Sequence, residues 1–359
     1  MKKAGCLIFI IIIVLIGLYG LFLVNKYNSA IDYKATSTDK VLLTIESGES
    51  PTQVKEHLIE KGIIKDEEIA FGFSAYRIYA YITKFDTKIQ AGSYQLSKGL
   101  SIKEIAELLQ RAESQELKIT LKEGMRIEEI AEKLNIDLNS SDNRNSKFNK
   151  NEFIDLAKNY VSDRDFLSSR PRGNNSLEGY LFPDTYFITP DATAKDLIEL
   201  MLDNFDLKLF QPNSGSIKNN KYTLHELVSL ASIIQREVQT PNDMSMIADI
   251  YFKRLRDDWK LEADATTQYA IGYSTSEGVW WKKNLTYDDL DSSSPYNTRK
   301  FSGIPPSPIS SFGVTAFQAV LEPKANNYFF YISDKDCVTR YAKTFYEHEA
   351  NISKYGTCT

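Results

Sequence analysis

The chain opens with a long apolar run. Residues 4–24 follow Met-Lys-Lys and are nearly all apolar, and about 20 such residues are enough to cross a bilayer as a helix. The two lysines before the run favour a cytoplasmic N-terminus, with the rest of the chain outside. A cleaved signal peptide is the alternative, but its apolar core normally spans about 7–15 residues, and residues 25–30 make a poor cleavage site. We therefore expect an uncleaved anchor over residues 1–25 and a polar stalk over residues 26–40.

A second pattern occurs three times: an alternating run that ends in glycine and leads into a helical periodicity. Residues 41–48 and 117–124 align residue for residue, and residues 92–99 form a weaker copy. Each copy predicts a strand, a glycine turn and an amphipathic helix, because glycine tolerates the positive φ that such turns often need. These units resemble LysM-like wall-binding modules, and a packing subdomain without a ligand is an equally open alternative. We expect this small α/β subdomain over residues 41–116.

After residue 117 the chain becomes more aromatic and mixes helical with extended patterns. Residues 329–333 read as a buried strand, and the polar residues 139–151 read as a surface loop. Helical patterns cover residues 152–160, 194–205, 224–238, 244–257 and 314–321. The mixture is α+β rather than a regular βαβ alternation. The fold expected is therefore α+β, with an N-terminal transmembrane helix, the small LysM-like subdomain and a larger mixed α+β domain over residues 117–359.

The composition removes several classes of function. The formal net charge is −5 and no basic stripe stands out, so nucleic acid is not an expected partner. The three histidines are scattered, and the sequence has no paired CxxC, no GxSxG elbow and no P-loop, so we expect no metal and no cofactor. Carboxylates, amides, hydroxyls and aromatic rings remain, and these groups suit carbohydrate. Cys337 and Cys358 would both lie outside the membrane, either as a disulfide or as two free thiols.

One carboxyl group attracts attention, that of Glu237 at the end of a predicted helix. Thr223 and Glu226 form a capping box, which predicts that the helix starts there. Three apolar residues, at 230, 233 and 234, precede Glu237 by seven, four and three positions and so share its side of the helix. Burial on an apolar face raises the pKa of a carboxyl group, and a protonated acid near neutral pH is what glycosidic cleavage needs. The alternative is a helix-end Glu turned to water or paired with Arg236.

Several segments resemble the signatures of the YceG-like (MltG) family of endolytic murein transglycosylases. Residues 177–186, LEGYLFPDTY, match ten contiguous signature positions. Further matches, in the order of the family, are residues 120–126, 230–237, 254–255, 261–266, 269, 294–298, 303–309 and 346–348. The chain departs from common family residues at Gln235, Lys253, Glu262, Ala265 and Ser307, and none of these removes the catalytic Glu of the family, which maps onto Glu237. The resemblance covers nearly everything after the anchor.

The resemblance implies a membrane-anchored lytic transglycosylase of the bacterial cytoplasmic membrane, with most of the chain extracytoplasmic. It would cleave the β-1,4 bond from N-acetylmuramic acid to N-acetylglucosamine within nascent glycan strands of peptidoglycan. Glu237 would act first as the acid and then as the base, and the product would carry a 1,6-anhydro end. Peptidoglycan synthases are candidate partners. A non-catalytic wall-binding scaffold and a wall hydrolase that gives reducing ends are the alternatives.

Other residues in the matching segments are candidates for substrate binding or for support of Glu237. They are Glu178, Asp264, Thr266, Gln268, Tyr296, Asn297 and Thr298. Each has a structural alternative: Glu178 as a buried hydrogen-bonding acid, and the residues at 264–268 as caps of a loop. Trp280 and Trp281 would stack on a sugar ring or serve in packing, and His348 is more readily a packing residue than a glycan contact.

Overall fold

The structure, a computed structural model, describes residues 2–35, 39–46, 48–65, 68–110, 117–139, 147–189 and 191–357. Most of the loop predicted over residues 139–151 and Cys358 lie outside the described residues. Cys337 takes part in a disulfide. The chain divides into two compact units, which differ in detail from the predicted domain bounds; those bounds stay a prediction. The first unit comprises Met1–Leu117, Leu138–Lys147 and Phe187–Ala192, and the second Lys118–Asp137, Phe148–Tyr186 and Thr193–Thr359.

Helices and strands alternate irregularly along the described residues, as expected for an α+β protein. In chain order they are α1 (Lys2–Ile31), β1 (Lys40–Ile45), α2 (Pro51–Glu60), β2 (Glu68–Ala70), β3 (Phe73–Ser74), α3 (Ala75–Thr83), β4 (Gly92–Ser97), α4 (Ile102–Gln110), β5 (Leu117–Thr120), α5 (Ile127–Leu138), α6 (Lys150–Lys158), β6 (Thr185–Ile188), α7 (Ala194–Phe205), α8 (Gln211–Lys218), α9 (Leu224–Glu237), α10 (Pro241–Arg256), α11 (Asp264–Ile271), α12 (Tyr287–Leu290), α13 (Val314–Leu321), β7 (Phe330–Ser333), β8 (Thr339–Ala342) and α14 (Phe345–Tyr355). The mixed α+β class is confirmed.

The first unit begins with the apolar helix α1, which continues to Ile31 and so includes part of the predicted stalk. Phe9–Ile31, with a mean hydropathy of 2.3, is the one stretch among the described residues that is long and apolar enough to cross a membrane. The last turns of α1 pack into the unit, where Ile31 is buried with Leu43 and Leu58. Helix α1 and the rest of the first unit therefore share one core.

Two of the three predicted strand–turn–helix units lie in this first unit. β1 and β4 pair antiparallel, with Leu43 opposite Tyr94, and α2 and α4 follow them. α2 starts with a capping box between Ser50 and Gln53, and Gly48 has the positive φ expected of the turn. The third strand–turn–helix repeat consists of β5 followed by α5. The strand and helix pattern is thus present, while the specific likeness to LysM stays a prediction.

The second unit is built around α9, whose residues from Leu224 to Ile234 are nearly all buried. Thr223 and Glu226 form the capping box that the sequence predicts, and the helix ends at Glu237. α10 and α13 pack against α9, and α14 packs against the hairpin of β7 and β8. Strand β7 covers the strand predicted at residues 329–333, but only Ile332 in it is buried and its other residues are half-buried. Tyr331 lies opposite Tyr341. This arrangement brings the end of α9 next to β7.

Candidate active site

A groove of about 580 Å³ opens in the second unit at the end of α9. Among the described residues, its lining comes from the end of α9, α10, the segment before α11, β7 and α14. The lining residues are Glu237, Arg254, Leu261, Glu262, Asp264, Arg299, Phe330, Tyr331, Ile332, Ser333, Phe345, His348, Ile352 and Thr357. Three carboxyl groups, two arginines and four aromatic or imidazole side chains therefore face one cavity, a combination that suits a polar polymer with flat ring faces.

Glu237 reaches this groove because it is the last residue of α9. Val238 follows in an extended conformation, so the helix stops there. The hydroxyl of Tyr331 donates to Oε2 of Glu237 at 2.9 Å, and the backbone N–H of Ala265 at the start of α11 also donates to the carboxyl. Arg236, the partner considered in the alternative interpretation, instead lies with its guanidinium 3.9 Å from the centre of the Trp281 ring. The carboxyl thus points to the groove rather than to Arg236.

Burial raises the pKa of Glu237 from 4.5 to about 7. The residue keeps some exposure to the groove, but protein surrounds its carboxyl group closely, and loss of water disfavours the charged form. The negative charge of Asp264 raises this pKa further, whereas the Tyr331 hydroxyl, Arg299 and the Ala265 N–H lower it. A carboxyl group with a pKa near 7 can donate and take back a proton at neutral pH.

Asp264 lies in the same groove, at the first position of α11. Nε of Arg299 donates to its carboxylate, and both side chains remain partly exposed. Arg299 attracts the charge of Glu237, while Asp264 repels it. The pair therefore places one positive and one negative group beside the candidate acid.

Buried hydroxyls hold the segment that carries Asp264. The hydroxyls of Thr266 and Thr298 are 2.9 Å apart, and the N–H of Ala263 donates to the Thr298 hydroxyl at 3.0 Å. The side-chain amide of Asn297 donates to the carbonyls of Leu290 and Ser292. These three predicted site residues are almost wholly buried and fix the loops that present Asp264 and Arg299. They are not among the groove-lining residues described, and a contact with substrate stays a prediction for them.

Glu178 is also buried and lies outside the groove lining. The N–H of Ile127, at the start of α5, donates to it at 3.2 Å, and the hydroxyl of Tyr269 donates at 3.2 Å. Burial raises its pKa to about 8, although the charge of Arg126 lowers it. These contacts agree with the structural alternative for Glu178, a buried hydrogen-bonding acid that anchors a helix start.

The remaining predicted residues lie near this second buried set. Nε2 of Gln268 donates to the carbonyl of Lys282 at 2.9 Å, and the hydroxyls of Tyr296 and Ser307 form a short hydrogen bond. Trp281 is buried and donates from Nε1 to Glu129 at 2.8 Å, which is a packing role. The ring of Trp280 meets that of Tyr273 edge to face. None of these four lines the groove among the residues described.

One wall of the groove is aromatic. The ring of His348 lies 5.4 Å from the ring of Phe330 and 6.1 Å from that of Phe345. Nδ1 of His348 is buried and has no hydrogen-bond partner within the described part of the chain. Burial lowers the pKa of His348, so the ring is neutral at pH 7. The wall therefore offers ring faces to a ligand.

Sequence reasoning did not identify Arg254, Arg299, Tyr331, Phe330 or Phe345 as site residues. Tyr331 and Phe330 were placed in a buried strand, but a strand pattern does not show which partner each side chain meets. A signal was available at Arg254, since it lies in a family-like segment; its guanidinium donates to the carbonyls of Leu261 and Phe329 at 2.8 Å each. These residues come together only in the folded chain.

Known proteins resemble this chain over most of its length. The YceG-like family model matches residues 43–354. An endolytic murein transglycosylase of Bacillus subtilis (strain 168) is 30% identical over 325 residues, which cover 89% of this chain and 86% of that relative. An endolytic murein transglycosylase of Streptococcus pneumoniae serotype 2 (strain D39) is 26% identical over 98% of this chain and 65% of that relative.

A solved structure agrees with the family match. The crystal structure of a yceG-like protein from Listeria monocytogenes superimposes with a TM-score of 0.56 at 26% identity, covering 88% of this chain and 99% of that one. The names of the relatives agree with the enzyme class predicted from the sequence. On the extent of the family match, this chain belongs to the YceG-like family.

Proposed function

We propose that this chain is a membrane-anchored endolytic lytic transglycosylase of peptidoglycan. It cleaves the β-1,4 bond from N-acetylmuramic acid to N-acetylglucosamine within nascent glycan strands and leaves 1,6-anhydro ends. The relatives named endolytic murein transglycosylase support the substrate class. The observation that carries the proposal is Glu237, a carboxyl group with a pKa of about 7 at the floor of a groove.

Glu237 does both proton transfers. In its protonated form it gives a proton to the glycosidic oxygen, and the bond from that oxygen to C1 of the muramoyl sugar breaks. The carboxylate then takes the proton of the muramoyl 6-hydroxyl while O6 bonds to C1. The proton returns to Glu237, no water is consumed, and the residue is ready for another cycle. A pKa close to the working pH serves both steps.

The surroundings of Glu237 support each step. The hydroxyl of Tyr331 and the N–H of Ala265 both donate to the carboxylate, so they stabilise the charged form after the first transfer. Burial stabilises the neutral form before it. The opposed effects keep the two protonation states close in free energy.

The groove also suits the polymer. Phe330, Phe345 and His348 offer ring faces on which sugar rings stack, and Glu262, Asp264 and Arg299 offer partners for hydroxyl and amide groups. We assign Phe345 to stacking because it is the most exposed of the three rings.

The anchor places this chemistry at the membrane. Helix α1 is long and apolar enough to span a bilayer, and it supports a single-pass protein of the bacterial cytoplasmic membrane with the rest of the chain outside. Strands being synthesised at that surface are then the nearest substrate. The strand and helix units of the first unit are proposed to bind wall glycan in the manner of LysM-like modules.

Product analysis tests the proposal. Purified full-length protein is incubated with peptidoglycan strands, and the new ends are identified by mass. We expect 1,6-anhydromuramoyl ends inside strands, and their loss in Glu237→Gln, which keeps the size of the side chain but cannot donate a proton in the same way. Unchanged release of products by Glu237→Gln would favour a non-catalytic scaffold with a contaminating activity.

A wall hydrolase is the second candidate, because Asp264 supplies another carboxylate in the groove. A hydrolase often uses two carboxylates, one as the acid and one as the nucleophile or base. Arg299 already holds Asp264 in an ion pair, which favours a supporting role. Reducing muramoyl ends, abolished by Asp264→Asn, would establish the hydrolase instead.

A further inference from the structure

The hairpin of β2 and β3, in the first unit, has an exposed aromatic residue at its turn. The two central residues are Phe71 and Gly72, with φ values of 52° and 78°. Positive φ at both positions is the signature of a type I′ turn, for which Asn-Gly is the preferred pair. A bulky aromatic residue with positive φ is a genuine outlier, and it is disfavoured relative to Asn. Yet Phe71 is 84% exposed, so packing within the chain does not compensate for its backbone.

Further exposed apolar side chains follow within a dozen residues. Phe73, across the turn from Ala70, is 54% exposed. On α3, Tyr76 and Ala80 face the core, whereas Tyr81 is 85% exposed and Ile82 is also exposed. Arg77 lies one turn before Tyr81 on the same exposed face of the helix. An exposed group of aromatic rings beside a cation is typical of a surface that meets something apolar with a charged border.

The contacts of this hairpin with α1 bear on which apolar partner its exposed side chains meet. The apolar run of α1 ends at Val24, and Nζ of Lys26 donates to the carbonyl of Glu68 in β2 at 2.9 Å. α3 and β2 both pack against α1. The backbone of β2 is therefore only one lysine side chain away from the end of the apolar run of α1.

The thickness of the headgroup layer can be compared with the distance from the end of the apolar run to Phe71. The headgroup region adds roughly 5–8 Å on each side of the hydrocarbon core. Nζ of Lys26 also donates to the carbonyl of Ile69 at 3.5 Å. Phe71 is two residues from Ile69, and a strand advances about 3.3 Å per residue, so its ring lies within reach of that region. Aromatic residues are enriched there, because the layer accommodates a flat apolar ring.

We propose that the surface formed by Phe71, Phe73, Arg77, Tyr81 and Ile82 lies in the headgroup layer of the same bilayer that α1 spans. The proposal rests on the membrane anchor of the proposed function. The hairpin and α3 give the first unit a second attachment to the membrane, beside α1. Phe71 occupies a position where Asn would suit the backbone better because its ring enters the lipid.

Quenching by brominated lipid tests this contact. Full-length Phe71→Trp is reconstituted at one chain per nanodisc, in phosphatidylcholine with bromines near the top of the acyl chains. The matched control is Glu56→Trp, an exposed position on α2, which packs against β1. The wild type supplies the signal of its three tryptophans, which is subtracted. We expect roughly twofold or stronger quenching of the residue at 71 than of the residue at 56, since interfacial rings sit at that depth.

Two outcomes would overturn the proposal. Equal quenching at positions 71 and 56 would show that the hairpin does not touch lipid. Shielding of Phe71→Trp that requires two chains per disc would assign the surface to a second copy of the chain instead. Co-flotation of each variant with the discs reports the anchor separately, so loss of α1 insertion is distinguished from an inserted chain whose hairpin stays in water.

A second variant separates lipid contact from folding. Phe71→Asn suits the turn, so we expect its thermal unfolding temperature to be equal to or above that of the wild type. Its hairpin amides should nevertheless exchange hydrogen faster than those of the wild type in nanodiscs, and at the same rate or more slowly in the absence of lipid. Identical exchange of the two proteins in nanodiscs would contradict the lipid contact.

Discussion

The hydroxyl of Tyr331 donates to Oε2 of Glu237 across 94 residues of sequence, at 2.9 Å. Behind it, the hydroxyl of Tyr251 lies 2.7 Å from that of Tyr331, so the two tyrosines form a chain that ends on the carboxyl. Burial raises the pKa of both tyrosines well above 10, and both therefore remain protonated donors or acceptors at neutral pH. The first consequence concerns how activity depends on pH.

Opposite shifts in the pH profile are expected for Tyr331→Phe and Asp264→Asn. Tyr331 lowers the pKa of Glu237 and Asp264 raises it. Activity falls as the acid form is lost above pH 7, so Tyr331→Phe should move this alkaline limb to higher pH and Asp264→Asn should move it to lower pH. The pH dependence of kcat/KM on soluble glycan strands measures both. A shift of the two variants in one direction would contradict the assigned roles.

Glu237→Gln should stabilise the fold above neutral pH. A carboxyl group whose pKa is raised by folding binds its proton more tightly when folded, so the free energy of unfolding falls as pH rises from about 4.5 to about 7. The amide cannot ionise and removes this loss. We expect the free energy of unfolding to rise by about 1–2 kcal/mol at pH 8 and not at all at pH 4. The figure is reduced because water in the groove screens the carboxyl charge. Thermal unfolding at the two pH values measures the difference, and an equal gain at both would contradict the pKa shift as its cause.

Replacement of Glu178 should distinguish a structural acid from a substrate contact. Glu178→Ala leaves the buried N–H of Ile127 without an acceptor and opens a cavity, which costs about 2–4 kcal/mol. Glu178→Gln retains an acceptor and should cost less than about 1 kcal/mol. Chemical denaturation measures both. If Glu178→Gln were fully stable but lost activity, Glu178 would have a part in the reaction.

Replacement of Gly179 should show why residues 177–186 need a glycine at this position. Its φ is 82°, and a Cβ there would lie 2.4 Å from Cβ of Pro308. Gly179→Ala should therefore cost about 3 kcal/mol or more, through both backbone strain and overlap. Gly173→Ala is the matched control, because φ is 83° there but no atom lies within 4 Å of the added Cβ. We expect the control to lose only about 1 kcal/mol in the same unfolding experiment, and equal losses would exclude the overlap with Pro308.

The aromatic wall predicts an effect on binding rather than on chemistry. Phe345→Ala should raise KM about threefold to tenfold with little change in kcat, because one stacking contact contributes about 1 kcal/mol. Tyr346→Ala is the control, since Tyr346 is the next residue, is 84% exposed and does not line the groove. Steady-state kinetics on glycan strands of defined length measures both. An equal rise in KM for the two variants would remove the argument for stacking at 345.

Local patterns predicted much of the fold. The bounds predicted for α7 and α13 agree with the structure, and α9 starts at its capping box as expected. These elements are specified by residues close together in sequence, through caps and helical periodicity. The raised pKa of Glu237 was predicted on the same basis, from apolar neighbours on its own helix, while its catalytic role stays a prediction.

The rest of the site depends on long-range pairing. The resemblance made Asn297, Thr298 and Thr266 candidates for substrate binding or for support of Glu237. The structure shows them as buried hydrogen-bonding groups that hold neighbouring loops, and a contact with substrate stays a prediction for them. The groove instead uses Tyr331 and Arg299, whose relation to Glu237 depends on how β7 and the loop before residue 300 pack. A strand pattern gives alternation of faces, but not the partner met by each face. Such contacts follow from tertiary packing and have no local signature.

A single guanidinium, that of Arg254, joins two backbone segments that border the cleft. Nη1 donates to the carbonyl of Leu261 and Nη2 to that of Phe329. Because a guanidinium is flat and holds its donors in a rigid fork, the distance between these segments follows from covalent geometry. The spacing of these two segments beside the groove thus depends on one side chain.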